Sequence, residues 1–252
     1  VKNPIFGVGV WAFNRLGLEN IFPNYKILAL RYSLDTRLIE KDVEVMSLEK
    51  GMKNKHIKEP RNSTTVICHP QTKKYLDKFP GQSVLLPYKS SIKMEKHCRQ
   101  NDWILAASPT YFGKELFENK IKFRRILKEL KVNVAPGNIK NIKDLHYGRL
   151  MNAYGLPFVI QHPTRGGGKG TFFIKNKEDF ELALKKLRVK ITDEGEEVAD
   201  ENTQVIVAKF IKGPSPSIAA CVTREGIIST NPQYQVLDIP ELFNPKTGYG
   251  RF

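Results

Sequence analysis

Between Gly155 and Thr171 the chain reads G-L-P-F-V-I-Q-H-P-T-R-G-G-G-K-G-T. An apolar run from Phe158 to Ile160 enters a turn containing Arg165, the consecutive glycines Gly166, Gly167 and Gly168, then Lys169 and Gly170. A second apolar run, Thr171 to Ile174, follows at once. This strand–glycine loop–strand order constrains the fold more than any other stretch. Glycine has no Cβ, so successive N–H groups can approach an anion closely. Such a nest holds phosphate oxygens, and Lys169 and Arg165 add charge. A Walker A loop would place Ser or Thr after the lysine and feed a helix. Here Gly170 follows Lys169, and the next element reads as a strand. A Rossmann fingerprint likewise needs a helix directly after its glycines. The plain alternative is a flexible hairpin turn. The stretch predicts a hairpin that holds the phosphates of a nucleotide.

The first third alternates strand and helix signals. Residues 26–32, 43–48, 64–68, 84–86 and 103–107 read as short apolar strands. Helices are expected through Tyr75 and Leu76 and between the last two strands. That alternation suggests a parallel sheet with crossovers. Gly7 to Ala12 fits G-x-G-x-x-[GA], but the lone match is weak, and a tight turn leaving the first strand is the ordinary reading. Residues 118–131 read as a helix with Phe123, Ile126, Leu127 and Leu130 as its buried stripe. A second helix over 177–189 is capped by Asn176 with Asp179 following, and buries Phe180, Leu184 and Leu187. The acidic run 193–202 lacks an apolar period and reads as a mobile lid loop. Residues 203–211 read as a strand, and 217–222 with 226–229 as a hairpin.

Composition sets outer limits. A chain of 252 residues can bury a sizeable core. No run approaches the ~18 apolar residues of a membrane span, and no signal peptide is visible. Cys68, Cys98 and Cys221 are scattered, which fits reduced thiols and a cytoplasmic location. The net charge of +15 suits polyanions. The lysines are spread without a dense basic block or a basic–aromatic stripe, so a nucleic-acid-binding domain is only a rival reading.

Three more segments follow the order of a known family. They are F-E-N-K-I-K-F-R-R-I-L-K-E-L (117–130), V-N-V-A-P (132–136) and Q-V-I-V-A-K-F-I-K-G (204–213). With the glycine stretch, they resemble the linker helix, following strand, lid loop and hinge strand of the ATP-grasp superfamily, such as biotin carboxylase, carbamoyl phosphate synthetase and D-alanine–D-alanine ligase. The resemblance implies an α/β fold. A Rossmann-like pre-ATP-grasp domain (1–117) leads through a helical linker (118–152) to the lid subdomain (153–209). The beginning of an incomplete C-terminal sheet (210–252) follows. The resemblance also implies that ATP is bound. Lys120 would lie near the α- and β-phosphates. Gln161, Gly166, Gly167, Gly168, Lys169 and Gly170 would face the phosphates, with Lys169 catalytic. Lys209, Phe210 and Ile211 would line the adenine.

The implied reaction is ATP-dependent ligation of a carboxylate to an amine or thiol through an acyl phosphate. A homodimer is compatible with the resemblance. Two positions depart from the pattern, where Gln161 replaces a strand lysine and Ala208 replaces a pre-hinge glutamate. Mg²⁺ would be required, with its ligands expected beyond residue 252, so the chain reads as a fragment and none of its residues is assigned to metal. A non-catalytic nucleotide-binding module of the same fold is the alternative.

Overall fold

The computed structural model describes residues 3–52, 57, 60–165, 170–191, 197–199, 202–214 and 216–234. They form a mixed α/β structure divided into two compact units. One unit comprises residues 1–134, 162–170 and 204–206; the other comprises 135–161, 171–203 and 207–252.

The first unit contains, in chain order, β1 (Ile5–Gly9), β2 (Tyr25–Ala29), α1 (Leu34–Ile39), β3 (Val45–Ser47), α2 (Ser63–Cys68), α3 (Pro70–Leu76), β4 (Val84–Pro87), α4 (Ile92–Gln100), β5 (Ile104–Leu105) and α5 (Lys120–Glu129). The strands pair in parallel in the order β3-β2-β1-β4-β5. Strand alternation sends side chains to two faces. Phe6, Val8, Leu28 and Leu30 pack with Val66, Ile67, Leu76 and Met94 on one face. Tyr25, Ile27 and Ala29 pack with Ile39 and Val43 on the other.

Several expectations need correction here. Residues 64–68 form α2, not a strand. Asn62 caps it, its side chain accepting from the Thr65 amide at 3.0 Å. A short continuous apolar run cannot be assigned by period alone. The parallel step from β3 to β4 needs a crossover, which α2 and α3 supply. Gly7 and Gly9 do not form a turn after the strand; they lie inside β1. A Cβ on Gly7 would fall within the Tyr25 hydroxyl, and one on Gly9 would meet Arg15 Nε at 3.1 Å. The glycines make room for neighbouring side chains, not for a dinucleotide. In α5 the buried residues are Ile121 and Arg124, whereas Leu130 is 68% exposed and Phe123 sits edge-on to Phe117 at 5.9 Å. Ile126 and Leu127 of the expected stripe are half-buried, so the stripe is covered only in part.

The second unit contains β6 (Gly137–Asn141), α6 (Tyr147–Tyr154), β7 (Phe158–Gln161), β8 (Thr171–Ile174), α7 (Lys177–Leu187), β9 (Val189–Ile191) and β10 (Glu197–Ala199). It continues through β11 (Gln204–Lys209, whose first residues fall in the first unit), β12 (Pro216–Ser217), β13 (Ala220–Val222), β14 (Ile227–Ser229) and β15 (Gln233–Tyr234). The main sheet has the order β6-β11-β7-β8. As expected, Asn176 caps α7, accepting from the Asp179 amide at 2.8 Å, and Phe180, Leu184 and Leu187 are buried. Tyr147 packs on both Phe158 and Phe180. The β13–β14 hairpin also forms as expected.

Two expectations shift in this unit. The strand expected over 132–136 begins instead at Gly137. Pro136 has no N–H for a ladder; its carbonyl accepts from the Lys209 amide at 2.8 Å. Within the acidic run, Glu197–Ala199 pairs antiparallel with β9, so that part is strand, not loop. Its residues 193–196, 200 and 201 lie outside the described residues.

Gly137 passes so close to β11 that a Cβ would overlap the Val207 carbonyl and approach Ala208 Cα to 2.6 Å. Gly148, in α6, has nothing within 4 Å of such a Cβ. Gly137→Ala should therefore destabilise by at least about 1–3 kcal/mol, as overpacking does. Gly148→Ala should stabilise by about 0.4–1 kcal/mol by restricting the unfolded chain. Urea denaturation of both variants checks the pair of signs.

Candidate nucleotide-phosphate site

The glycine stretch leaves β7 and returns through β8. These strands are antiparallel, with Phe158 opposite Ile174 and Gln161 opposite Thr171. Beyond that last pair, the His162 amide donates to the Gly170 carbonyl at 2.7 Å. His162 Nδ1 accepts from the amides of Thr164 at 3.2 Å and Arg165 at 3.3 Å. Accepting at Nδ1 places the proton of the neutral ring on Nε2. His162 therefore closes a tight turn at the base of the loop, a role its sequence context did not signal. Gly170 completes the closure. A Cβ there would lie 2.5 Å from Arg165 Cβ and 3.0 Å from His162 Cβ.

Lys120 is joined to this turn twice. Its amide donates to the Pro163 carbonyl at 2.9 Å, and its Nζ donates to the Arg165 carbonyl at 2.8 Å. Asn119 caps α5 through the amides of Ile121 and Lys122, which fixes the first helical residue, Lys120, in place. Burial pushes the Lys120 ammonium below the usual lysine range, and the Glu118 charge opposes part of that shift. An ammonium has three donors, and the Arg165 carbonyl takes one of them. Among the described residues the other two have no partner. Gly166, Gly167, Gly168 and Lys169, the residues expected to cradle phosphate oxygens, lie outside the described residues.

In the second unit, the Gln161 amide reaches Thr171 Oγ1 at 3.4 Å, the long limit of a hydrogen bond. It carries no charge where the resemblance would place a lysine. At the end of β11, Lys209 is exposed and its amide is taken by Pro136. Phe210 stands edge-on to Phe173 with ring centroids 5.8 Å apart, and Ile211 is 64% exposed. Among the described residues the amides of Phe210 and Ile211 have no backbone partner, so both can meet the edge of a planar base. Phe173 went unremarked in the sequence. Its alternation with Phe172 along β8 was the available signal. Ala208 is buried against Gly137, so two small residues meet where these strands approach.

Among the described residues no three His, Cys, Asp or Glu side chains converge, so they do not fit a Mg²⁺ site. No described helix is long and apolar enough to cross a membrane.

Residues 119–222 match the family model described as the carbamoyl-phosphate synthase L chain ATP binding domain. A D-alanine–D-alanine ligase of Desulforudis audaxviator is 38% identical over 71 residues, which are 28% of this chain and 20% of that protein. The biotin carboxylase domain of Hydrogenobacter thermophilus 2-oxoglutarate carboxylase, solved with MgADP, ADP and bicarbonate, superposes with a TM-score of 0.60 at 14% identity, covering 98% of this chain and 55% of that one. Carboxyaminoimidazole ribonucleotide synthase of Aspergillus clavatus, complexed with ATP, gives a TM-score of 0.54 at 11% identity, over 94% and 55%. D-alanyl-alanine synthetase A of Vibrio cholerae gives 0.53 at 10%, over 97% and 70%. The chain spans a fifth of the curated relative and 55% of the first two structures. The chain shares the fold of these ATP-grasp structures, and residues 119–222 are similar in sequence to the carbamoyl-phosphate synthase L chain ATP binding domain.

Proposed function

We propose that this chain supplies the nucleotide-binding part of an ATP-dependent carboxylate–amine (or carboxylate–thiol) ligase. The observation that carries this reading is the Lys120 ammonium bonded to the Arg165 carbonyl at the mouth of the glycine stretch, within a segment matching an ATP-binding domain. ATP phosphorylates a substrate carboxylate, and the acyl phosphate is then attacked by an amine or thiol with release of phosphate. Lys120 and Lys169 neutralise charge on the transferred group. The loop from Gly166 to Gly170 covers the phosphates and excludes water while the acyl phosphate exists. The backbone at Lys209, Phe210 and Ile211 meets the adenine edge. The described residues provide no cluster of three or more metal-ligating side chains. We retain the division at 1–117, 118–152, 153–209 and 210–252 as the functional reading of the chain.

A second reading is a nucleotide binder that has lost catalysis. It is favoured by the uncharged Gln161 and by Ala208, buried against Gly137 where a glutamate would have to fit. Formation of ADP that depends on both a carboxylate and an amine separates the two readings.

Thermal denaturation of the protein carrying this chain, with Mg·ATP and Mg·ADP, tests nucleotide binding. At about 100 times Kd a ligand stabilises by about 2.7 kcal/mol, on the order of 5–10 °C for a protein of this size. Lys169→Ala and Lys120→Ala should each shrink the shift. A wild-type protein indifferent to both nucleotides ends the proposal.

Lys120 also makes a pH prediction. Its folded-state pKa lies below the ordinary 10.5, so between the two values the unfolded chain binds more protons. Stability contributed at this site therefore rises with pH across that window, and the penalty for the buried charge is fully present below it. The rise should be smaller in Lys120→Met, measured by urea denaturation across the alkaline range. Equal slopes would remove Lys120 as its source.

A further inference from the structure

We propose that His162 is a proton-sensitive positioning residue. Its neutral ring holds the turn against which Lys120 is set, and a proton on Nδ1 releases that turn, so that phosphate binding at Lys120 weakens in acid. The effect on phosphate rests on the nucleotide reading above; the hold on the turn does not.

The amide donors of the turn 162–165 are those of His162, Thr164 and Arg165, because Pro163 has no N–H. The first goes to the Gly170 carbonyl, and the other two go to His162 Nδ1 at 3.2 and 3.3 Å. Lys120 takes the carbonyl side of the same turn, its amide donating to Pro163 and its Nζ to Arg165. The Pro163 carbonyl and the Thr164 amide belong to one peptide group. That group is trans and planar, so its C=O and N–H point in opposite directions. The imidazole thus holds one side of a rigid plane whose other side is held by the first residue of α5. Arg165 is held likewise, at its amide by the ring and at its carbonyl by the Lys120 ammonium. Freeing these amides from the ring also frees the carbonyls on which Lys120 is set.

A neutral imidazole has one acceptor nitrogen, and an imidazolium has none. A proton taken from solvent at Nδ1 therefore turns the shared acceptor into a donor that faces two N–H groups. Neither amide bond survives it. Histidine is the side chain that changes charge between about pH 5 and pH 8. His162 is half-buried and Thr164 exposed, so solvent reaches the turn. The charged groups around it are Arg165 in the turn itself, and Lys120 and Glu118 at the start of α5. Lys169 precedes Gly170 in the chain. Glu118 is paired with Lys89 at 2.7 Å. From β7 and β8 the adjoining residues are Gln161 and Thr171, which carry no charge. An asparagine at 162 would keep an acceptor for the amide two residues on, as in an Asx turn, and would not titrate.

The first measurement needs no nucleotide. With ¹⁵N in histidine, threonine and arginine, the His162 ring nitrogens and the Thr164 and Arg165 amides are followed from about pH 8 to about pH 5. At the upper limit Nδ1 should be the unprotonated nitrogen. Both amides should then shift with the ring's own midpoint and lose protection from hydrogen exchange. In His162→Asn they should not titrate. The second measurement is the affinity of the protein carrying this chain for Mg·ADP, near pH 8 and one pH unit below the ring's midpoint. The terminal phosphate of the nucleotide itself titrates near pH 6, so the quantity read is the loss in wild type relative to the loss in His162→Asn. One unit below the midpoint about a tenth of the rings are neutral, so wild type should lose about tenfold more. His162→Ala should bind weakly at both pH values, and Asn should restore binding. In a Lys120→Met background the difference between His and Asn at 162 should vanish, because His162 acts through Lys120. The proposal is overturned if Nδ1 carries the proton near pH 8, if the two amides ignore the ring's titration, or if wild type and His162→Asn lose affinity equally. A wild type that binds Mg·ADP at neither pH removes the effect on phosphate together with the nucleotide reading, and the amide titration alone then decides the hold on the turn.

Discussion

The hydrogen bond from the Lys120 ammonium to the Arg165 carbonyl fixes where the glycine stretch begins. A glycine-rich loop has little conformational preference of its own, so its usefulness depends on what holds its ends. Here one end is held by the first residue of a capped helix. The other is held by the closure of His162 on Gly170. The partly desolvated ammonium strengthens the bond to the carbonyl, because a hydrogen bond gains electrostatically in a low dielectric. The same desolvation lowers the lysine pKa, so the positive charge is kept at some cost, and an incoming phosphate oxygen would relieve it. One residue thus ties down the loop and presents charge beside it.

Much of this was legible in the sequence, for identifiable reasons. Helix α7 declares itself through Asn176, Phe180, Leu184 and Leu187, a cap and a periodic stripe that agree with each other. Hairpin β7–β8 declares itself because strands bracket the glycines directly. The failures occur where local and tertiary signals part. The T-T-V-I-C run of α2 carries strand-favouring residues, and its helical state comes from the Asn62 cap and the need for a crossover. The stripe in α5 is periodic, yet Phe123 and Leu130 are exposed and Ile126 and Leu127 only half-buried, while Ile121 and Arg124 are the buried residues. Periodicity names a face, but not which face is covered. Gly7 and Gly9 mimic a nucleotide fingerprint, while their physical cause lies in Tyr25 and Arg15, residues distant enough in sequence to hide the connection.

Of the expected site residues, those proposed to act through the backbone depend less on side-chain identity than those proposed to act through side chains. Lys209, Phe210 and Ile211 were chosen for main-chain pairing with a base, and that role survives any change in the side chains above it. Gln161 and Ala208 show the opposite case. Each removes a charged group that the resemblance implies, and the structure gives a local reason for one of them. Gly137 and Ala208 are the small pair that lets β6 and β11 approach. A glutamate at 208 would have to leave that contact, so the residue at 137 and the residue at 208 are coupled. Among the described residues no comparable neighbour explains Gln161, whose amide makes a long contact with Thr171.

A site for anions needs cations placed to meet them. A net charge of +15 does not by itself provide this, because solvated lysines are screened within about 10 Å at 0.1 M salt. What distinguishes Lys120, Arg15 and Arg31 from the surface lysines is immobilisation and partial desolvation. Lys120 is pinned to a carbonyl, and Arg31 is stacked on an indole. Arg15 is laid across a strand with no intervening Cβ. Fixed cations in a reduced dielectric interact with an oxyanion several-fold more strongly than solvated ones. Charge that is held still and partly desolvated is what separates Lys120 from the solvated lysines of this chain.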